Sequence, residues 1–145
     1  MTHYYRYYVL VMLTVVSMIN IMDRLILSIL LEDIKAEFTF TDTQLGVLAG
    51  LAFALFYALM SIPIARWADI SNRKNILAAA LITWSGMTAL CGAATGFVSL
   101  FLARLGVGIG EAGGSPPSYS IIADYFKPSE RARAMGVYVT GSVLG

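Results

Sequence analysis

Residues 104–124 read RLGVGIGEAGGSPPSYSIIAD, which sets one arginine, one glutamate, five glycines and a Pro-Pro pair in a long apolar run. Arg104 and Glu111 are seven residues apart. At ~100° per helical residue this is about 700°, within roughly 20° of two full turns, so both charged groups share one helix face. Gly106, Gly110 and Gly113 fall on the opposite side, bare enough for a neighbouring helix to approach closely. A carboxyl in such surroundings can take up and release a proton. A guanidinium stays charged and can only attract an anion. Desolvation and a nearby guanidinium act on that proton in opposite senses, so small helix movements can tip it. The chemistry open to this face is proton exchange coupled to anion or solute binding.

The setting is a membrane. The chain has 145 residues, 58% hydrophobic and 13% charged, with mean hydropathy +0.73. A soluble domain carries about 25% charged residues. The net charge of +1 points to no nucleic-acid partner. Cys91 is the one cysteine and His3 the one histidine, which gives neither an internal disulfide nor a metal-ligand set. No metal or cofactor is expected. The class is an all-α, polytopic transmembrane helix bundle.

Four apolar segments are long enough to span, at about residues 7–31, 45–67, 76–95 and 97–126. A fifth opens at Ala134 and stops mid-pattern at Gly145. The first is too long for a signal-peptide core and is expected to stay as a spanning helix. Residues 32–43 form a polar connection, and Thr41 with Gln44 suggests a capping box. Gly46, Gly50, Ala54 and Ala58 make a small-residue stripe suited to helix packing. Pro63 is expected to bend or end the second span, and Pro116-Pro117 to break or kink the fourth. Tyr57, Trp84 and Tyr119 read as packing aromatics.

Lys and Arg divide unevenly between the loops. Arg6, Arg66, Arg73, Lys74, Lys127, Arg131 and Arg133 lie on one side, and Lys35 lies on the other. The positive-inside rule makes the N-terminus cytoplasmic. Asp23, Arg24, Arg104 and Glu111 fall within apolar runs and sum to zero. Each is costly at mid-bilayer, roughly 2.5–3.5 kcal/mol on insertion scales, so each needs compensation. They either pin the first span to the fourth or line a water-filled path. Of the four, Arg24 carries the least functional weight, since Asp23 or a loop acid could satisfy it. Residues 108–113 also match G-x-G-x-x-G, the dinucleotide fingerprint. That motif needs a strand–turn–helix context, whereas here it lies in an apolar helix, and close helix packing accounts for it better.

Several motifs together resemble the N-terminal part of a major facilitator superfamily transporter of the Spinster-like branch. These are Asp23-Arg24 in the first helix, AEFTFTDTQLGVLAG leading into the second, ARWADISNRK at 65–74, and RLGVGIGEA with Ser115-Pro-Pro in the fourth. The 65–74 segment resembles the cytoplasmic G-x-L-A-D-R-x-G-R-K loop, with Ala65, Ile70 and Asn72 departing from it, so a differently packed gate is expected. The resemblance implies secondary transport by alternating access between two six-helix halves. It implies a lipid bilayer, a small organic or lipid-like solute, protons and a C-terminal half as partners, in the cell's inner or plasma membrane. Asp23, Arg104 and Glu111 would form the coupling and binding cluster, and Asp69, Arg73 and Asp124 a cytoplasmic charge-relay gate. Gly46, Gly50, Gly106, Gly110 and Gly113 would serve helix packing. The chain itself is expected to be a fragment that does not transport alone. An organic-anion symporter, in which Arg104 holds a substrate carboxylate, and a non-transporting membrane scaffold are the alternatives.

Overall fold

The computed structural model describes residues 3–145, and all regular structure among them is helical. Helix α1 spans His3–Phe38, α2 Asp42–Gly46, α3 Ala52–Ile70, α4 Arg73–Gly92, α5 Phe97–Ala112, α6 Ser115–Tyr125 and α7 Pro128–Leu144. A π-helical turn, Val47–Leu51, joins α2 to α3 without a break. Four stretches are long and apolar enough to cross a membrane: Tyr4–Phe38, Asp42–Ile70, Arg73–Gly92 and Phe97–Tyr125.

The termini of these helices differ from the sequence expectations in instructive ways. Most of the expected polar connection at 32–43 is helix, because α1 continues through Phe38 before Thr39 turns into the left-handed region at φ 53°. Thr41 then caps α2: its hydroxyl accepts from the Gln44 N–H at 3.3 Å, and its own N–H donates to Gln44 Oε1 at 2.9 Å. Pro63 lies inside α3, which runs on to Ile70. Asn72, where the family loop has glycine, caps α4 by accepting from the N–H groups of Lys74 and Asn75. The fourth span breaks one step before the prolines, at Gly113-Gly114, and Pro116-Pro117 sit in the first turn of α6, where missing N–H groups cost least. Helix α7 begins at Pro128, a turn and a half before the expected Ala134.

Helix α5 is the buried centre of the fold. Leu100, Ala103, Arg104, Gly106, Val107, Gly108, Gly110, Glu111 and Ala112 are all buried. Its glycines explain how. A Cβ on Gly106 would meet Met87 at 2.5 Å, one on Gly110 the Trp84 backbone N at 2.6 Å, and one on Gly113 the Ala80 Cβ at 2.7 Å. Ala80, Trp84 and Met87 form one face of α4, so the three glycines seat α4 directly on α5. Gly108, on another face, admits α3: a Cβ there would lie 3.1 Å from the Phe53 carbonyl. Gly46 and Gly50 behave differently. Nothing lies within 4 Å of a Cβ at either, and Ala54 and Ala58 are exposed with them. Among the described residues that stripe is an open face.

The first and fourth spans meet, though not along their whole length: α1 touches α6, and its Arg24 reaches Glu111 on α5. The larger contact of α1 is along α7, and α5 packs mainly against α3 and α4. Ser17 and Ser142 share a 2.7 Å hydrogen bond across the α1–α7 contact. Arg6 ties its end by donating to Glu130 at 2.8 Å. That hydrogen bond holds the Glu130 carboxyl below its ordinary range. Two apolar clusters close the ends of the bundle. One holds Leu10, Leu13, Leu77, Ile122, Phe126, Ala134 and Tyr138. The other holds Phe40, Leu45, Leu48 and Leu100.

The α4–α5 contact gives a direct test. Gly110→Ala should destabilise the protein by about 1–3 kcal/mol, because the new methyl meets backbone that cannot rotate away. Gly86, also helical, has open space around it. Gly86→Ala should leave stability unchanged or raise it by about 0.5–1 kcal/mol. Thermal unfolding of the two detergent-solubilised variants measures both, and equal effects would contradict the packing described.

Candidate functional site

The buried carboxylate takes its partner from an unexpected residue. Arg24 of α1 donates through Nε to Glu111 Oε2 at 2.6 Å. The Glu111 side chain is fully buried, while 31% of the Arg24 side chain is exposed. Among the described residues Glu111 Oε1 has no hydrogen-bond partner. Arg104, two turns back on the same helix, is also buried, and its Nε is likewise unpartnered. Its guanidinium lies 5.3 Å from the centre of the Phe53 ring instead. Asp23 completes the group, facing the Trp84 indole and the Arg104 guanidinium.

The shared helix face of Arg104 and Glu111 therefore exists, but the pair does not bond. Arg24 reaches across from α1 and occupies the acid. No spacing within α5 signals this, because it depends on the rotation of α1 about its own axis. The neutral sum of the four charges was the available clue, and it did not say which cation goes where. Two aromatic residues of α3 were also missed as parts of the site. The Arg24 guanidinium lies 4.9 Å from the Phe53 ring centre and 4.8 Å from that of Tyr57. Their spacing of four residues was the clue for a shared face.

A polar cavity of about 110 Å³ opens beside Arg24. Ser17, Asn20, Tyr57, Trp84, Ser115 and Tyr119 are among its walls. Tyr57, Trp84 and Tyr119, expected to be packing aromatics, thus line a space. At the end of the bundle that carries the 65–74 loop, Arg73 donates to Asp124. Asp69 lines the same recess with Asn72, Lys74 and Asp124. The pair is partly exposed, so its own contribution to stability is about 0–1 kcal/mol. Among the described residues, no group of three or more His, Cys, Asp or Glu side chains could hold a metal ion.

The Major Facilitator Superfamily pattern matches residues 13–145. The chain belongs to the major facilitator superfamily. Its relatives include an MFS-type efflux pump of Mycolicibacterium smegmatis, 37% identical over 92% of this chain and 33% of the relative. A D-galactonate transporter of Escherichia coli O6:H1 is 34% identical over 97% of this chain and 32% of the relative. Among solved structures, a bacterial homologue of the human lysosomal transporter Spinster, in an inward-facing and unoccupied conformation, superposes with a TM-score of 0.95. It is 47% identical and matched over 99% of this chain and 30% of its own. The chain thus spans about a third of the length of the relatives it matches. The superfamily consists of integral membrane transporters, not enzymes, and this settles the G-x-G-x-x-G match. Gly108 and Gly110 lie inside α5 and Gly113 at its end, with no strand before them among the described residues.

The Arg24–Glu111 pair has a measurable signature. Arg24→Gln alone leaves Glu111 buried without a cation. That should cost close to the lower end of ~3–5 kcal/mol, since Arg24 is partly exposed. Removing both charges in Arg24→Gln/Glu111→Gln should recover most of the loss. Thermal unfolding of full-length protein separates these outcomes, and two simply additive losses would refute the pairing.

Proposed function

We propose that this chain supplies the coupling half-site of a secondary active transporter that moves a lipid-like or amphiphilic organic solute by alternating access, driven by protons. The observation that carries the reading is the Glu111 carboxyl, buried on α5 and held by one ion pair to α1. Two guanidinia and two carboxylates meet there, and their formal charges sum to zero. Protonating Glu111 removes the charge that holds Arg24. Arg24 and Arg104 then present unbalanced positive charge beside the aromatic-lined cavity, where the anionic or polar head of a solute can replace the lost carboxylate. Deprotonation restores the pair and expels the solute head. Asp23, facing Arg104, is the second acid through which the proton can be shared. Transport then needs the bundle to rock against a second half.

The exposed stripe of Gly46, Gly50, Ala54 and Ala58 supports this picture, since it offers a bare helix face to a helix from the remainder of the protein. Asp69, Arg73 and Asp124 form the cytoplasmic charge-relay gate, opened when α4 and α6 separate. The N-terminus faces the cytoplasm of a cell whose inner or plasma membrane holds the protein. A second reading, organic-anion symport, rests on the buried and unpartnered Arg104 Nε, which would hold a substrate carboxylate. The relative named a D-galactonate transporter lends it weight.

Full-length protein in liposomes with an imposed pH gradient decides between these readings, with a fluorescent lysolipid and D-galactonate as probes. Lysolipid moving against the proton flow supports exchange, and galactonate moving with it supports symport. In either case Glu111→Gln should abolish pH-driven uptake while probe binding largely survives. Arg104→Lys should also be impaired, since a planar fork is replaced by a point charge. Uptake by Glu111→Gln with unchanged pH dependence would leave the pair as a scaffold element. For orientation, a membrane-impermeant thiol reagent applied outside should modify a cysteine placed at Thr41 and spare one placed at Ser71. The reverse pattern would overturn the topology.

A further inference from the structure

Helix α3 contributes no charge to the site, yet it touches both cations. Phe53 and Tyr57 sit four residues apart, on one face of α3, and their rings stack with centres 5.8 Å apart at 23°. The Arg24 guanidinium lies 4.9 Å and 4.8 Å from the two ring centres. Among the described residues, the 2.6 Å bond from Nε to Glu111 is the guanidinium's one hydrogen bond. Two aromatic rings also lie against it. Arg104 lies 5.3 Å from the Phe53 centre, so one ring serves two like charges.

Two independent features of the backbone bring Phe53 to this place. Gly108 has no side chain where α3 approaches; a Cβ there would stand 3.1 Å from the Phe53 carbonyl and 3.5 Å from its ring. The π-helical turn Val47–Leu51 ends two residues before Phe53. A π turn inserts an extra residue and rotates everything after it, and such turns are frequent at functional sites. A ring face attracts a cation through its quadrupole without adding a second anion or a proton acceptor. Beside a proton-binding carboxyl this distinction matters: a third carboxylate would compete for the proton, whereas a phenyl ring cannot.

We propose that Phe53, backed by Tyr57, is a positioning residue that holds the Arg24 guanidinium on Glu111, so that the ion pair depends on the seating of α3 against α5. The inference deepens the coupling role given to Glu111 and rests on that reading for its meaning in transport. The contact itself can be tested without any substrate. The charged and titratable groups that face the pair are Asp23 and Arg24 on α1, Tyr57 on α3, and Arg104 and Glu111 on α5.

The experiment replaces Phe53 in the full-length protein with mono-, di- and trifluorophenylalanine, which drain the ring face of charge at nearly constant shape. Thermal unfolding midpoints should fall stepwise along the series, by roughly 1–3 °C in all. In the charge-neutral Arg24→Gln/Glu111→Gln background the same series should fall by clearly less, since only the longer Arg104 contact remains. Phe53→Trp should restore the native midpoint better than Phe53→Leu does. A flat series in the native background would overturn the proposal. A fall of equal size in the neutral background would also overturn it, because the ring would then be acting as packing or on Arg104. Proton-driven uptake of the fluorescent lysolipid, measured on the same preparations, should fall in the same order. If the midpoints follow the series and wild-type protein takes up no probe, the positioning role stands and the transport reading fails.

Discussion

A carboxylate buried on an apolar helix constrains everything around it. Glu111 cannot be left ionised without a cation close by, and no residue of α5 provides one at bonding distance. The cation must come from another helix, which fixes the rotation of α1 about its axis. It must also approach closely, which requires helices near α5 with little side-chain bulk between them. The glycines of α5 meet that requirement on two faces, toward α4 and toward α3. The large aromatic Trp84, buried against Gly110, Gly114 and the polar layer, would not fit against any larger residue.

The apolar parts of the fold bracket this polar layer. The cluster around Leu10, Ile122 and Tyr138 closes one end, and the cluster around Phe40, Leu48 and Leu100 closes the other. Between them α4 and α3 seat directly on the glycines of α5. Helix α1 follows α7, and its link to α5 is the Arg24 side chain more than its backbone. The apolar clusters contribute much of the stability, while the ionic layer decides which helix faces which. An ion pair chosen for register in this way is compatible with an interaction whose net contribution to stability is small.

Much of this was legible in the sequence. Apolar runs gave the four spans, and helical periodicity put Arg104 and Glu111 on one face and the packing glycines on another. The Thr41–Gln44 spacing gave the capping box that opens α2. What could not be read was relational. Arg24 and Glu111 are 87 positions apart, and nothing in either segment encodes the angle between their helices. Phe53 and Tyr57 resembled ordinary membrane aromatics because their distinction lies in what they face. The π turn leaves no composition signal, since VLAGL reads as plain helix. Gly46 and Gly50 matched a packing stripe correctly in type, but the face they present is open in this chain.

The interruption at Gly113-Gly114 has a mechanical side. Pro116 and Pro117 carry no N–H, so the carbonyls of Ala112 and Gly113 lose their donors four residues on, and the last turn of α5 is instead closed by tighter bonds from Gly113 and Gly114. A rod with several rungs missing at one level bends there before it bends anywhere else. The fourth span is therefore two stiff bars joined by a compliant coupling, with the coupling set one turn beyond Glu111. Force applied to the outer bar, where Asp124 meets Arg73, is taken up first at this coupling. The charge pair at the bundle's edge can break and re-form while the buried acid keeps its register, and the two ends of one span can work out of phase.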